Sequence, residues 1–299
     1  MAVEQNSEAG QSEAQGYALS VGASIFFVCV PLYVQWLTAI SGMTMLLHRA
    51  YWQFIVLLLV CLISRRDKLI AIFSDRRQLL VHLLTAPLIG VQWWLFIWAP
   101  VVDRTIDLAI GYLILPVTLV LAGVIVLSES VSRLKLAAIF AALCGLLLEL
   151  WISGSISWIS AVVFIGYPPY FLLHRIFRTR SSFSSLCVES GLVMLAMLIW
   201  MSLSPGAVIV PTGLATNGLL VGLGLLSLVG MLCYLGASKK LPLNVFGLLS
   251  YMEPILLFAA AIIFLGETVG QQKYLSYGCF AFSLLLVVYE GIKKLSGKR

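Results

Sequence analysis

Residues 108–131, LAIGYLILPVTLVLAGVIVLSESV, and residues 246–269, FGLLSYMEPILLFAAAIIFLGETV, decide the fold when they are compared with each other. At a separation of 138 residues, a proline and a glutamate recur at the same positions of both stretches. The matched pairs are Pro116 with Pro254 and Glu129 with Glu267. Apolar matches are frequent in a chain that is 61% hydrophobic, so the inference of an internal repeat depends on these polar and proline pairs.

The composition excludes a water-soluble domain. Only 11% of the 299 residues are charged, and the mean hydropathy is +1.03. A soluble domain has roughly 25% charged residues, because its surface must stay hydrated. The formal charge of +6 comes without a basic stripe interleaved with surface aromatics, so no nucleic-acid partner is expected. We therefore expect the lipid bilayer to be the main partner of the chain.

Long apolar runs recur along the chain, each near the roughly 20 residues that an α-helix needs to cross a bilayer. Uninterrupted runs do not match the alternating pattern of a membrane β-barrel. The sequence therefore predicts an all-α polytopic membrane protein with ten transmembrane helices. The predicted spans are 16–38, 43–63, 78–98, 107–127, 134–152, 158–173, 185–203, 214–236, 243–264 and 272–291.

The 138-residue register superimposes spans one to five on spans six to ten, and it also pairs Pro31 with Pro169. Because each half has an odd number of spans, the second half crosses the membrane in the opposite sense. Inverted repeats are typical of secondary transporters, whose two halves expose a central site to either side in turn. The predicted segments are a disordered tail at 1–15, a first five-helix repeat at 16–152, a second, inverted repeat at 153–292 and a basic tail at 293–299.

Basic residues predict the orientation. Cytoplasmic loops of membrane proteins have an excess of Lys and Arg, and 16 of the 19 fall after even-numbered spans or in the C-terminal tail. Both termini are therefore expected in the cytoplasm, and the first 15 residues lack the basic region of a cleaved signal peptide. The 16 are Arg65, Arg66, Lys68, Arg76, Arg77, Arg133, Lys135, Arg175, Arg178, Arg180, Lys239, Lys240, Lys293, Lys294, Lys298 and Arg299.

Four prolines are predicted to break helices: Pro31, Pro116, Pro169 and Pro254. A proline inside a helix frees a backbone carbonyl, and a freed carbonyl is costly in lipid unless it faces protein or a wet cavity. We interpret spans one, four, six and nine as lining the interior. The alternative is a packing kink that neighbouring helices satisfy.

Several short motifs, in order between residues 17 and 293, resemble those of the drug/metabolite transporter superfamily, EamA-type, and most of all its RarD-like members. The motif residues are His48, Arg49 and Trp52 (HRxxW); Gln92, Trp93, Trp98 and Ala99 (NWxxxxWA); Gly111, Tyr112 and Pro116 (GYxxxP); Glu189 and Ser190 (ET); Leu241, Pro242 and Leu243 (LPL); and Tyr251 and Pro254 (YxxP). The sequence departs from that pattern at Gln92, Leu115 and Ser250. The resemblance implies a ten-helix permease of the bacterial inner membrane that exports drugs or metabolites.

Glu253 is the candidate coupling residue. It lies in predicted span nine beside Pro254, and its repeat mate is Leu115, so the fold does not require it. An ionised carboxylate there costs roughly 2.5–3.5 kcal/mol on insertion scales, so it needs a partner or a proton. One hypothesis is that it takes up and releases a proton during transport. The alternative is a neutral glutamate that pairs with Arg49 or with loosened backbone.

Substrate contacts are predicted for polar and aromatic side chains that lie deep in the spans. Arg49 is expected either to bind an anionic substrate group or to pair with Glu253 or Glu189. The aromatic rings are expected to line a pocket for an amphipathic solute, and ordinary helix packing is the alternative. The predicted substrate-binding residues are Arg49, Trp52, Gln92, Trp93, Tyr112, Tyr170 and Tyr251.

Other polar residues are predicted to have structural or gating roles. Glu129 and Glu267 precede predicted spans five and ten, where a negative charge favours the next helix N-terminus. His48 is expected to form hydrogen bonds, and Glu189 is expected to gate or to pair with the neighbouring basic loop. The six cysteines lie in six different spans without a CxxC motif, so neither a metal nor a disulfide is predicted.

These features predict a secondary active transporter of a small solute. No HExxH, GxSxG or GxxxxGK[ST] motif occurs, so we expect neither an enzyme, a cofactor nor an ATP site. Transport must then be driven by an ion gradient, with the proton as the candidate, or by exchange. A passive channel or a membrane scaffold subunit is the alternative.

Overall fold

The computed structural model of the protein consists of helices joined by short connections, and no strand occurs among the residues it describes. Those residues are 2–37, 39–101, 105–154, 157–179, 182–204, 213–256, 263 and 271–296. The helices are α1 (Ala2–Val34), a 3-10 turn (Gln35–Leu37), α2 (Gly42–Ser64), α3 (Arg66–Ser74), α4 (Arg76–Val101), α5 (Thr105–Leu127), α6 (Arg133–Ser153), α7 (Trp158–Ile176), α8 (Ser182–Leu203), α9 (Leu214–Lys240), α10 (Leu243–Leu249) and α11 (Lys273–Ser296).

Local sequence signals explain where several helices begin and end. The Ser41 hydroxyl accepts a hydrogen bond from the Thr44 N–H at 3.2 Å, which caps α2. Ser132 caps α6 in the same way through the Lys135 N–H. Helix α6 ends at Ser153, and Gly154 caps it with a left-handed φ of 79°, which favours glycine.

Seven helices in the described residues are long and apolar enough to cross a membrane, which confirms a multi-pass, all-helical membrane protein. They are Gln11–Leu37, Gly42–Ser64, Arg76–Ala99, Arg133–Ile152, Trp158–Ile176, Ser182–Leu203 and Leu214–Lys240. Two shorter apolar stretches lie where the sequence predicts spans four and nine: Gly111–Leu127, which is part of α5, and Leu243–Leu256, which contains α10 and the helical residues after it. The number of ten spans stays a prediction, because residues 257–262 and 264–270 lie outside the described part.

Two segments differ from the sequence prediction. Helix α1 starts at Ala2, where the sequence predicts a disordered tail over 1–15. The tail is rich in Ala, Glu and Gln, which are strong helix formers, and acidic residues near a helix N-terminus are stabilising. The basic connection after α2 also folds, as the short helix α3.

The prolines interrupt the helices less than the sequence predicts. Helix α1 continues through Pro31, α5 through Pro116 and α7 through Pro169, so the predicted breaks do not occur there. A proline removes one i→i−4 backbone hydrogen bond, and the helical bonds on either side of each of these three prolines continue. Only Pro254 follows an interruption, because α10 ends at Leu249 and helical structure resumes at Met252.

Residue contacts divide the chain into two compact units. The first unit contains 1–28, 106–168 and 233–299, and the second contains 29–105 and 169–232. These units do not coincide with the predicted repeats, because each takes residues from both of them.

Within each unit, helices that the 138-residue register matches pack against each other. In the second unit α2 packs along α8, and in the first unit α6 packs along α11. Glycines permit the close approach: a Cβ atom on Gly191 of α8 would lie 2.8 Å from the ring of Phe54 in α2. In the same way, a Cβ on Gly145 of α6 would lie 3.0 Å from Phe280 of α11. Small residues at such contacts are typical of helix packing in membranes.

Candidate functional site

The second unit buries a carboxylate among polar side chains. Glu189 on α8 is fully buried. Its Oε1 lies 2.8 Å from His174 Nε2 and 3.1 Å from His82 Nδ1, and it accepts a hydrogen bond from the Thr85 hydroxyl. Its Oε2 accepts a hydrogen bond from the Tyr170 hydroxyl at 3.0 Å. The carboxylate is thus contacted from α4 and α7, and a buried charge needs such partners to be tolerated.

Helical spacing brings these side chains together. His82 and Thr85 are three residues apart on α4, and Tyr170 and His174 are four apart on α7, so each pair shares one helix face. The rings of Tyr170 and His174 lie 4.6 Å apart in an edge arrangement. The remaining ring nitrogen of His174, Nδ1, lies 2.8 Å from the Thr179 hydroxyl, which fixes the orientation of the imidazole.

This environment corrects the sequence interpretation of Glu189. The sequence suggested a salt bridge to the neighbouring basic loop or a pair with Arg49. In the structure the carboxylate is held by two histidines, a threonine and a tyrosine instead. The partners differ from the expected ones because Glu189 lies two turns inside α8, and its structural or gating role stays a prediction.

The same unit also buries Arg49 and several other polar side chains. Arg49 is 4% exposed, and its guanidinium carbon lies 5.2 Å from the ring centroid of Trp93. Such a separation corresponds to a cation–π contact. Gln92 and Gln53 are also buried, and the hydroxyl of Ser190 lies 3.5 Å from Gln53 Oε1. Polar side chains buried inside membrane helices are costly, and they commonly mark a substrate path.

The other predicted aromatic residues of the second unit lie in different surroundings. Trp52 is half-buried and makes an edge contact with Tyr51, with ring centroids 5.1 Å apart. His48 is half-buried on α2, one residue before Arg49. Neither joins the group around Glu189 in the contacts that the structure describes.

The first unit gathers tyrosines near Glu253. The hydroxyls of Tyr112 and Tyr167 lie 3.3 Å apart and share a hydrogen bond. Glu253 is 8% exposed, and Tyr112 and Tyr234 are near enough to interact with it electrostatically. Tyr251, by contrast, is fully buried and stacks on Phe280 with ring centroids 4.9 Å apart. The contact of Tyr251 is that of a packing residue.

Glu129 caps a helix other than the expected one. Its two carboxylate oxygens accept the N–H groups of Leu243 at 2.7 Å and Asn244 at 2.8 Å, which are the first residues of α10. The sequence predicts that Glu129 favours the N-terminus of the next helix, α6, but its carboxylate binds the first N–H groups of α10 and Ser132 caps α6. Its repeat mate Glu267 lies outside the described residues.

Sequence reasoning missed several residues of these groups. His82, His174 and Glu189 are far apart in the chain, so no spacing motif could connect them. The one available signal was the presence of a histidine inside an apolar run, since ionisable residues within membrane spans are rare. Tyr167 was missed because a tyrosine at a helix interface is common and gives no separate signal.

Three curated relatives and one solved structure align with almost the whole chain. The "Chloramphenicol-sensitive protein RarD" of Pseudomonas aeruginosa is 33% identical over 289 residues, with 94% of this chain and 96% of the relative covered. An "Uncharacterized transporter" of Haemophilus influenzae is 30% identical, with 95% and 96% covered. The "Protein RarD" of Escherichia coli is 26% identical, with 93% and 95% covered.

The comparison of structures concerns the fold alone. A chain with a solved crystal structure superimposes with a TM-score of 0.70 at 13% identity, covering 94% of this chain and 98% of that one. No family model matches the sequence.

Proposed function

Because the chain belongs to the RarD family of transporters, we propose that it is a secondary active transporter that exports a small amphipathic solute across the inner membrane by alternating access. The observation that supports this most directly is the buried Arg49 stacked on Trp93. A guanidinium inside apolar helices is too costly to retain for packing alone. The ten-helix, inverted-repeat organisation belongs to the same proposal.

The substrate class follows from the chemistry of this group. Arg49 offers hydrogen-bond donors and a positive charge, Trp93 offers a large apolar face, and Gln92 is a buried amide next to it in sequence. Together they suit a solute with an aromatic or apolar body and a negative or strongly accepting group. The Pseudomonas aeruginosa relative is named for chloramphenicol sensitivity, so chloramphenicol, a nitroaromatic amide, is the first ligand to test.

Energy coupling is proposed for Glu253. Glu253 is 8% exposed, and burial disfavours the charged form of a carboxyl group. A carboxyl in this position can exchange a proton when water reaches it from either side. The passive channel is the competing function, and it predicts flux without saturation.

The experiment uses purified full-length protein in liposomes and follows the flux of labelled chloramphenicol. Arg49→Lys keeps the charge but removes the flat, forked guanidinium, so we expect the KM to rise about tenfold, which corresponds to about 1.4 kcal/mol. Trp93→Phe should raise it as well. Trp151→Phe is the matched control, because Trp151 is 84% exposed, and its KM should equal that of the unmodified protein.

Three outcomes would contradict parts of the proposal. Equal KM values in Arg49→Lys, Trp93→Phe and the control would remove the substrate site. Flux that rises linearly with concentration would favour the channel. Glu253→Gln should abolish accumulation driven by a pH gradient while solute exchange continues, so an unchanged response to the gradient would exclude proton coupling through this residue.

A further inference from the structure

Three ligand-type side chains from three helices meet in the second unit. A nitrogen of His82 on α4, a nitrogen of His174 on α7 and a carboxylate oxygen of Glu189 on α8 all lie within 4.8 Å of one another. The exposed fractions of the three side chains are 0%, 6% and 0%. Convergence of this kind is unusual inside apolar helices, where each ionisable group is costly.

We propose that His82, His174 and Glu189 form a binding site for one divalent transition-metal ion of the Zn²⁺ type. Imidazole nitrogen and carboxylate oxygen are common zinc ligands, and three protein ligands leave a fourth position for water or a hydroxyl. Hard cations such as Mg²⁺ and Ca²⁺ prefer oxygen ligands, so two imidazoles favour a first-row transition metal. None of the three ligands is among the residues proposed for substrate binding or coupling, although Tyr170, a predicted substrate contact, donates to Glu189.

The distances suit such an ion. Zinc bonds to nitrogen and oxygen are about 2.0–2.2 Å long, so neighbouring ligand atoms of a tetrahedral site lie about 3.3 Å apart. The observed separations from Glu189 Oε1 are 2.8 Å to His174 Nε2 and 3.1 Å to His82 Nδ1. Both separations are within about 0.5 Å of the tetrahedral value, so the three ligand atoms are close enough to share one ion.

The surrounding groups orient two of the three ligands, His174 and Glu189, in the way that is usual in metal sites. Histidine ligands usually direct their second ring nitrogen to a hydrogen-bonding group, which fixes the tautomer. His174 does so, because its Nδ1 faces the Thr179 hydroxyl at 2.8 Å while its Nε2 faces the carboxylate. Tyr170 holds the second carboxylate oxygen of Glu189 at 3.0 Å.

Contacts at the end of α7 hold the histidines in place. Gln78 Nε2 donates to the carbonyl of Phe177 at 3.1 Å. The guanidinium of Arg77 lies over the ring of the same phenylalanine, 4.7 Å from its centroid. These two contacts tie the start of α4 to the end of α7, so His82 and His174 are kept opposite each other. A bound cation would join α4, α7 and α8 at this point.

The test is a titration of the purified, untagged full-length protein in nanodiscs after chelator treatment. We expect one equivalent of Zn²⁺ per chain by calorimetry. Co²⁺ should give the intense visible bands of a four-coordinate site, and Zn²⁺ should displace it. His82→Gln and His174→Gln should each weaken Zn²⁺ binding at least about tenfold, and the double variant should remove it. His48→Gln is the matched control, and its Zn²⁺ binding should be unchanged.

The unmodified protein alone is sufficient to overturn the proposal. Absence of a saturable Zn²⁺ equivalent, or only the weak Co²⁺ bands of six-coordinate surface ions, would exclude the site even if a variant fails to fold. Undiminished Zn²⁺ binding by a folded double variant would exclude it as well. A rise in the unfolding temperature with Zn²⁺ that occurs in the unmodified protein and in His48→Gln, but not in His174→Gln, would support it.

Discussion

The cap that Glu129 provides to α10 permits a quantitative prediction. In Glu129→Gln, one side-chain oxygen still accepts an N–H, but the amide nitrogen then faces a second backbone donor. The contacts at stake are 2.7 Å to the Leu243 N–H and 2.8 Å to the Asn244 N–H. A hydrogen bond to a charged group contributes about 1.5–3 kcal/mol, and the retained bond loses its charge. We therefore expect the free energy that stabilises the first turn of α10 to fall by about 2–4 kcal/mol.

Hydrogen exchange of individual backbone amides measures this loss of stability in the first turn of α10 itself. The amides of Leu243 and Asn244 should exchange at least about tenfold faster in Glu129→Gln, since 1.4 kcal/mol corresponds to a factor of ten. Gly123→Ala tests the same cap from the other side, because its Cβ would lie 2.6 Å from Glu129 Oε2. Alanine stabilises a helix by about 1 kcal/mol relative to glycine, whereas displacement of the Glu129 carboxylate destabilises the start of α10. The two effects therefore oppose each other in this variant.

The matched control for Gly123→Ala is Gly218→Ala, because a Cβ at Gly218 would meet no atom within 4 Å. This variant should be neutral or slightly stabilised. The reasoning is refuted if Glu129→Gln leaves exchange at α10 unchanged. It is also refuted if Gly123→Ala is as stable as Gly218→Ala, because the Glu129 carboxylate could then move away from the new Cβ atom without any loss of stability.

Further predictions concern the second unit and use thermal unfolding of purified protein. Gly191→Ala should lower the unfolding temperature, because its Cβ would lie 2.8 Å from the ring of Phe54; an unchanged temperature would mean that α2 and α8 are not packed this closely. Tyr170→Phe removes a hydroxyl that donates to the Glu189 carboxylate at 3.0 Å, so we expect a loss of about 1.5–3 kcal/mol. Tyr251→Phe should be neutral or stabilising, since that buried hydroxyl has no hydrogen-bond partner among the described residues; equal losses in both tyrosine variants would contradict the assignment.

The membrane helices could be predicted from sequence because a single physical signal determines them. A run of apolar residues long enough to cross the hydrocarbon needs no knowledge of its neighbours. The predicted spans 43–63 and 185–203 accordingly agree closely with Gly42–Ser64 and Ser182–Leu203. The tail over 1–15 was misjudged because low hydropathy excludes a span but does not exclude a helix.

The polar groups were less predictable because they depend on which helices pack together. Glu129 illustrates this: read along the chain, it precedes α6, but in the structure it caps α10, more than a hundred residues away. The cluster of His82, His174 and Glu189 likewise comes from three helices. The contact of Arg49 with Trp93 was not predicted either, because it depends on how α2 packs against α4.

The 138-residue register offers a way to separate structural from functional polar residues. A residue that the fold itself requires is expected at the matching position of the other half, and Glu129 has such a mate in Glu267. The residues of the candidate sites have none. The positions that match Arg49, Trp93, His82, His174, Glu189 and Glu253 are occupied by Cys187, Met231, Leu220, Trp36, Tyr51 and Leu115.

This asymmetry agrees with what the two kinds of residue do. Glu129 satisfies backbone N–H groups that any helix N-terminus leaves without a partner, and that requirement exists in both halves of a repeat. A solute or a metal ion that occupies a single site needs its ligands only once. Buried charged groups without a counterpart in the other half are therefore costs that the architecture does not impose, and their retention inside apolar helices is best explained by something that they bind.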